Sequence, residues 1–420
     1  MKIAVIGGGS TYTPELIDGF ARLRDLLPVD EIALLDPDAD RLSVVGGLAA
    51  RILRHHGHPG TVSTGTDLDA ALDSADAVLL QLRVGGQAAR HVDETLPLMC
   101  GCVGQETTGA GGLAKALRTV PVVLDIAERV AQRAPRAWIV NFTNPVGIVT
   151  RALLQQGHRA IGLCNVAIGM QRTFAGWLSV DPARITLDHV GLNHLTWERA
   201  AYLDGRDVLP ELLAAHGPDL ADRVLIPTDL LRRLGVVPSY YLRYYYAHDR
   251  VVEQQRRGGA SRAQEVAALE RRLLDRYADP ALAAKPALLD ERGGAYYSQA
   301  AVALLSALLR DTGDRHVVNA RNDGALPFLS DDAVVEVSAT VGAAGAVLLP
   351  VARVQARYAG LIAHVSAYEE VALDAARHGG LDRVEEALLT HPLIGQAEPA
   401  RRLAAALVAA NREHLPWARG

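Results

Sequence analysis

Short apolar runs and stretches of helical spacing alternate along the first third of the chain. Residues 1–6 (Met-Lys-Ile-Ala-Val-Ile) are apolar apart from Lys2 and stop at Gly7-Gly8-Gly9, after which helical spacing runs over 15–23. The alternation continues with predicted strands over 31–35, 61–66, 77–82, 138–140 and 160–163, and helices over 42–55 and 68–74. The run 77–82 is apolar except for Gln81, as in a strand covered on both faces of a parallel sheet. Further strands are predicted over 185–190, 196–203, 334–338 and 346–350, and alanine-rich helices over 351–377, 383–389 and 398–410. The pattern predicts an α/β protein with a doubly wound parallel sheet in residues 1–165 and a helix-rich α/β domain in 166–420. No repeat or linker separates them, so the halves are expected to interlock.

Composition changes this picture little. At 420 residues the chain is long for one core, which agrees with two domains. The net charge of −5 is spread along the chain without a basic block, which argues against nucleic acid as a partner. No apolar run is long enough to span a bilayer, and the chain opens directly on a strand. Cys100, Cys102 and Cys164 form no disulfide framework, so a reducing, cytoplasmic setting is expected.

The candidate chemistry lies where the strands end, because ligands of open parallel sheets bind beyond their carboxyl ends. Gly7-Gly8-Gly9-Ser10-Thr11 is a strand–turn–helix start of the Rossmann type, whose backbone N–H groups and helix dipole suit a pyrophosphate. Asp36, at the end of the second strand, is placed to hold a ribose. Tyr12 stands where the third glycine is usual. An acid at 36 with no arginine just after it favours NAD over NADP.

Beyond the fourth strand come Arg83-Val84-Gly85-Gly86, Ala89-Arg90-His91-Val92-Asp93-Glu94 and Gly104-Gln105-Glu106-Thr107-Thr108-Gly109-Ala110-Gly111-Gly112. Polar side chains among glycines suit a loop that passes close to a ligand. Asn144 caps a helix starting near Val146, or its amide holds a sugar or cofactor hydroxyl. Cys164 and His194 are too few for a structural zinc site. They are ordinary buried residues, or they anchor an open metal site completed by substrate oxygens and water. Five of the twelve tyrosines fall in residues 240–246. They pack a subunit interface, or one is a tyrosinate base with a nearby cation lowering its pKa. Arg262, after Gly258-Gly259, suits an anionic group or is simply solvated.

Taken together, these segments resemble glycoside hydrolase family 4, specifically its 6-phospho-β-glucosidase branch, over nearly the whole length. The resemblance rests on Gly7–Glu15, Arg83-Val84-Gly85-Gly86, Gly104-Gln105-Glu106-Thr107, Asn141-Phe142-Thr143-Asn144-Pro145, Cys164-Asn165 and Gly191-Leu192-Asn193-His194. Tyr241-Leu242-Arg243-Tyr244-Tyr245, Ser261-Arg262-Ala263-Gln264-Glu265 and Val317–Pro327 add to it. Lactate and malate dehydrogenases are its relatives at the level of fold.

The resemblance implies hydrolysis of 6-phospho-β-glucosides without the usual pair of carboxylates. NAD⁺ takes a hydride from C3, a base removes the acidified C2 proton, and the aglycone leaves. Water then adds, and NADH returns the hydride. A divalent cation, usually Mn²⁺, polarises the C2 and C3 oxygens. By the same resemblance Cys164 and His194 are the metal ligands, Tyr241 is the base, and Glu106 sharpens it. Tyr240 and Tyr244 remain alternatives for the base.

Gly7, Gly8, Gly9, Ser10, Thr11, Asp36 and Arg83 meet the cofactor. Arg90, Asn144 and Asn165 meet the substrate, and Arg262 meets its 6-phosphate. Asn165 points to β-specificity, because α-specific members carry Asp after the metal cysteine. The leaving-group acid is unassigned. Ala167 in place of proline, and Cys100-Gly101-Cys102 in place of an aromatic and aliphatic pair, depart from the family pattern. The resemblance also implies a homodimer or homotetramer. The alternatives are a member acting on unphosphorylated or α-linked glycosides, a 2-hydroxy acid dehydrogenase and a silent sugar-phosphate and NAD-binding regulator.

Overall fold

A computed structural model describes residues 1–294 and 296–419. Its centre is a nine-stranded sheet. The strands are β1 (Lys2–Ile6), β2 (Glu31–Leu35), β3 (Thr61–Gly65), β4 (Ala77–Leu80), β5 (Trp138–Asn141) and β6 (Ala160–Gly162). A second, four-stranded sheet holds β7 (Ile185–Leu192), β8 (Leu195–Leu203), β9 (Arg206–Asp207) and β10 (Val237–Pro238). The large sheet is completed by β11 (Asp314–Arg321), β12 (Val334–Gly342) and β13 (Gly345–Leu348). Its order is β13-β12-β11-β6-β5-β4-β1-β2-β3.

From β6 to β3 every pairing is parallel, the doubly wound arrangement expected from the alternating pattern. The central strands are buried throughout, Ala77-Val78-Leu79-Leu80 being without exposure. Two hydrophobic cores fill the faces. One carries Ile3, Val5, Leu79 and Val140, the other Ala4, Ile6, Val78, Leu80 and Ile139. This split is the inward–outward alternation of a strand applied twice. The sheet extends past the sixth strand because β11 and β12, from the second half, add antiparallel. Asn319 of β11 pairs with Gly162 of β6 on one side and with Glu336 of β12 on the other.

Two expectations change. Residues 89–94 are helical, in Gly86–Thr95, and the glycines from Gly109 onward begin the 25-residue helix Gly109–Arg133. Those glycines serve packing. A Cβ at Gly111 would sit 2.3 Å from the Gln105 carbonyl oxygen and 2.4 Å from that of Asp93. The helix start is thereby pressed against both neighbouring backbones. Between the two helices a 3-10 turn, Leu96–Cys100, leads into a loop of residues 101–108. Among the described residues no helix is long and apolar enough to cross a membrane.

Candidate active site

A cavity of about 860 Å³ runs across the carboxyl ends of the parallel strands. Gly7, Ser10 and Asp36 line one part of it, and Arg83, Arg90, Glu106, Asn144 and Arg262 another. Residues from seven separate predicted motifs thus converge on one space.

At the β1 end, Gly7 has φ +88°, and a Cβ there would lie 2.7 Å from the Gln81 carbonyl oxygen. A side chain is excluded twice over. Gln81, the polar exception in the predicted run and the residue just after β4, donates its amide to the Gly7 carbonyl (3.0 Å) and to Thr13 (2.8 Å), tying the turn to the sheet. Asp36 accepts from the Gly9 N–H (3.0 Å) and the Asp38 N–H (3.1 Å). Tyr12, in place of the third glycine, closes on the Gly294 carbonyl across the helix start.

Arg41, two residues into the helix Ala39–His55, donates to the Gly9 carbonyl (2.6 Å) and faces Glu270 (3.4 Å). An arginine therefore lines the cavity with Asp36 although none follows it immediately in sequence. Glu270 also receives Arg292 (3.3 Å) and Gln87 (3.2 Å), and its carboxylate meets Thr11 at 3.4 Å. Arg41, Glu270 and Arg292 escape sequence reading because each looks like an ordinary charged residue of an exposed helix face.

Farther along, Glu106 lies almost fully buried among three cations. Lys115 (2.6 Å) and Arg90 (3.2 Å) join Arg83 on its carboxylate. Burial alone would raise its pKa, but Lys115, Arg83 and Arg90 hold it well below the usual carboxylate range. Burial and Arg83 push Lys115 down to about 8, against the attraction of Glu106. Lys115 is a further residue missed in sequence, hidden within the buried face of a helix. Arg90 is in turn fixed by Glu94 (2.7 Å).

Asn144 does not cap its helix. Pro145 occupies the N-cap position of Val146–Gln155, without a side-chain cap. The Asn144 side-chain oxygen is buried with no hydrogen-bond partner, and the residue lines the cavity. An uncapped amide with an orphan acceptor beside an open space is suited to a ligand hydroxyl. Arg262 begins the helix Arg262–Tyr277 behind a Ser261–Gln264 capping box. Its guanidinium contacts Glu265 (3.1 Å) and the Glu291 carbonyl (3.0 Å) at the cavity.

Cys164, His194 and Tyr241 are not part of the cavity lining but form a group connected to it through the Glu106 loop. Cys164 follows β6 and is buried. Burial pushes its thiol up, opposed by the Val166 and Asn165 N–H groups and the Asn193 amide. His194 sits in the β7–β8 turn at φ +64°. Its Nδ1 lies 3.0 Å from Thr107 Oγ1, whose own proton goes to Gln105 Oε1 (2.8 Å). Thr107 must therefore accept from Nδ1–H, leaving Nε2 with its lone pair.

Burial lowers the His194 pKa to about 4, so the ring is neutral at neutral pH. The ring of Tyr241 stacks on it at 3.6 Å and 9°. Tyr240 is instead exposed beneath Arg243, and Tyr244 donates no contact to His194 but receives Arg243 on its hydroxyl (2.9 Å). Burial holds the Tyr241 phenol well above its ordinary value, and Cys164 and Glu106 add to that.

These residues fit a divalent cation. The buried thiol lacks a neutralising charge, and the imidazole is fixed with a free lone pair, the usual state of a metal ligand. Among the described residues no three His, Cys, Asp or Glu side chains gather to bind a metal. A cation here would hold only two protein ligands and keep positions open for substrate oxygens and water. The turn at Gly7–Ser10 with Asp36 likewise fits a dinucleotide.

The profile of the family 4 glycosyl hydrolases matches residues 2–180, and that of the family 4 C-terminal domain matches 189–394. A probable 6-phospho-β-glucosidase of Bacillus subtilis is 38% identical over 99% of this chain and 97% of its own. The structure of the 6-phospho-β-glucosidase from Thermotoga maritima with manganese, NAD⁺ and glucose-6-phosphate superposes with a TM-score of 0.93. It is 33% identical, with 99% of each chain covered. A lactate dehydrogenase from a deep-sea metagenome superposes with a TM-score of 0.57 at 12% identity, covering 90% of this chain and 99% of its own. That likeness is one of fold, as the family resemblance implied.

Proposed function

The chain belongs to family 4 of the glycosyl hydrolases, and from that premise we propose that it hydrolyses 6-phospho-β-glucosides using NAD and a divalent cation, Mn²⁺ by preference. One observation carries the reading. A single cavity joins the Gly7–Asp36 turn to Arg90, Asn144 and Arg262, and the Glu106 loop along its wall continues into Thr107, which fixes His194 against Tyr241. The cofactor turn and the sugar-facing residues thereby share one wall, and the Glu106 loop links that wall to the assigned base behind it.

Cys164 and His194 would hold the cation. Bound NAD supplies a reversible hydride acceptor for C3, and the cation supplies Lewis-acid polarisation of the C2 and C3 oxygens. Asp36 is assigned to the cofactor ribose, with Gly7, Gly8, Gly9, Ser10, Thr11 and Arg83 around the pyrophosphate and nicotinamide side.

Tyr241 is assigned to take the C2 proton. Burial makes its phenol a poor acid, so a neighbouring positive charge must lower its pKa. Glu106 gathers Arg83, Arg90 and Lys115 on the cavity wall, so that wall carries an excess of positive charge as negative charge develops on the sugar. Arg90 and Asn144 orient the sugar hydroxyls, and Arg262 meets the 6-phosphate as a charge-assisted donor. Asn165 cannot protonate a leaving group, which supports a β-linked substrate. Water adding back at C1 and return of the hydride leave the cofactor unchanged overall.

The test is release of nitrophenol from p-nitrophenyl β-glucoside 6-phosphate, with and without Mn²⁺, NAD⁺ and EDTA under reducing conditions. Release requiring both the cation and catalytic NAD⁺ is the expected outcome. Stoichiometric NADH accumulation that ignores EDTA would overturn it. So would turnover of the α-linked or unphosphorylated analogue alone.

A further inference from the structure

Behind the Cys164 end of the site lies a second buried charge cluster that the proposed reaction does not use. His189 of β7 has no exposed side-chain surface and stands between two carboxylates. Its Nδ1 is 2.7 Å from Glu198 and its Nε2 is 3.0 Å from Glu336. Burial alone would discharge the ring, but Glu198 and Glu336 raise its pKa to about 10, so it stays an imidazolium. The other Glu336 oxygen accepts two amides at 2.8 Å, from Asn193 and from Asn319. Glu336 is 1% exposed.

The sheet register explains why these groups meet. Asn319 pairs with both Gly162 and Glu336, so the antiparallel extension brings a carboxylate beside the end of β6, two residues before Cys164. Asn193 closes the circuit, because its amide, held by Glu336, is near enough to Cys164 to oppose the burial that pushes the thiol up. Asn193 immediately precedes His194 in the tight β7–β8 turn, where Gly191 is at φ +147° and His194 at φ +64°. Burying one imidazolium with two carboxylates costs more than an apolar core would. The cluster leaves one net negative charge next to the place assigned to a cation, and it grips Asn193, whose amide acts on Cys164.

We propose that Glu336, oriented by His189, is a positioning residue for the divalent-cation site, acting through Asn193 on Cys164 and on the turn that carries His194. The inference rests on the assignment of Cys164 and His194 as the metal pair. Glu336 fixes the Asn193 amide, the amide fixes the sulfur, and the cluster's net charge favours a cation over an empty site. The groups facing Glu336 are His189, Asn193 and Asn319 by direct contact, with Glu198 beyond His189 and the Cys164 thiol beyond Asn193.

The experiment measures Mn²⁺ affinity by electron paramagnetic resonance of the free ion, on full-length protein with NAD⁺ bound. Wild type is compared with Cys164→Ser, Glu336→Gln and Asn193→Ala, with NAD⁺ affinity followed by fluorescence in the same samples. Cys164→Ser tests the parent assignment. If it binds Mn²⁺ as wild type does, the metal pair is wrong and the positioning role falls with it. If Cys164→Ser loses the ion, Glu336→Gln is expected to weaken Mn²⁺ binding roughly 10–100-fold, the usual effect of removing a partner behind a metal ligand. NAD⁺ affinity should stay within twofold, and hydrolysis should recover at high Mn²⁺.

Asn193→Ala leaves the His189–Glu336 pair intact at a half-buried position and is expected to weaken Mn²⁺ in the same direction. It serves alone if Glu336→Gln does not fold. Wild-type Mn²⁺ affinity in Asn193→Ala, or in a folded Glu336→Gln, would overturn the proposal. Parallel loss of NAD⁺ affinity would overturn it too, since it would mark a general disturbance of the fold.

Discussion

The two ends of the site are built by different means. The dinucleotide end is local and made largely of backbone. Three glycines, a serine and one acid lie within 36 residues, and the parallel β1–β2 pairing places Asp36 against Gly9. The end assigned to sugar and metal draws on side chains of residues 90, 106, 144, 164, 194, 241 and 262, with buried charge beside them. Glu106 needs three cations around it, and His189 needs two carboxylates. A backbone site tolerates change around it, whereas a site of buried charges is coupled, because removing one partner strands another. Mutations at the metal end should therefore spread within that end and stop short of the cofactor.

The sharpest break would come from Tyr241→Phe. Loss of the proposed base should lower kcat by ~10²–10⁴ while NAD⁺ affinity holds, and should abolish solvent deuterium exchange at C2. Measured exchange persisting in the variant would move the base elsewhere. Next in size, Arg262→Ala should cost roughly 10–100-fold in kcat/KM on the phosphorylated substrate and little on its unphosphorylated analogue. An equal loss on both would deny Arg262 the phosphate. Asp36→Ala should weaken NAD⁺ by roughly 10-fold yet leave Mn²⁺ affinity alone. If Mn²⁺ affinity fell with it, the two ends would be one coupled unit and the contrast would fail.

The smallest effect concerns pH. Lys115, at about 8, is an ammonium below that pH and loses its proton as the pH rises through it, depriving Glu106 of one of its cations. A few-fold fall in kcat/KM near pH 8 is expected, absent or shifted upward in Lys115→Arg. Unfolding through this group is not the cause. Its folded pKa lies below the ordinary 10.5, so between pH 8 and 10.5 the unfolded chain holds more protons, and stability from Lys115 rises with pH there. A melting temperature that fell across that window only in the wild type would contradict the assignment.

Legibility in sequence follows the same divide. Asp36, the glycine turn and the parallel strands were readable because short-range periodicity and turn chemistry determine them. Cys164, His194 and Tyr241 were recognisable only as pieces of a family pattern, since nothing local announces that a threonine at 107 fixes the tautomer of a histidine at 194. The Gly109–Gly112 stretch misled because glycine marks close packing as readily as a loop passing a ligand, and here the neighbours were the backbones of Asp93 and Gln105. Asn144 misled for a related reason. Its capping signal was genuine in type, but Pro145 took the cap and freed the amide for the cavity. Arg41, Glu270, Arg292 and Lys115 carried no sequence signal, because each acquires its role from partners in other elements.

The antiparallel joint between β6 and β11 bears on how the protein is made. While the chain is being synthesised, β6 has no neighbour on its outer side until residues near 319 have left the ribosome. Six of the nine strands must wait with an open edge, and open edges recruit other chains. A fragment ending at residue 165 would keep that edge for good. It should self-associate when expressed alone, whereas one reaching past β13 should stay dispersed, so the segment that shelters the edge is also the one that brings Glu336 to the metal end.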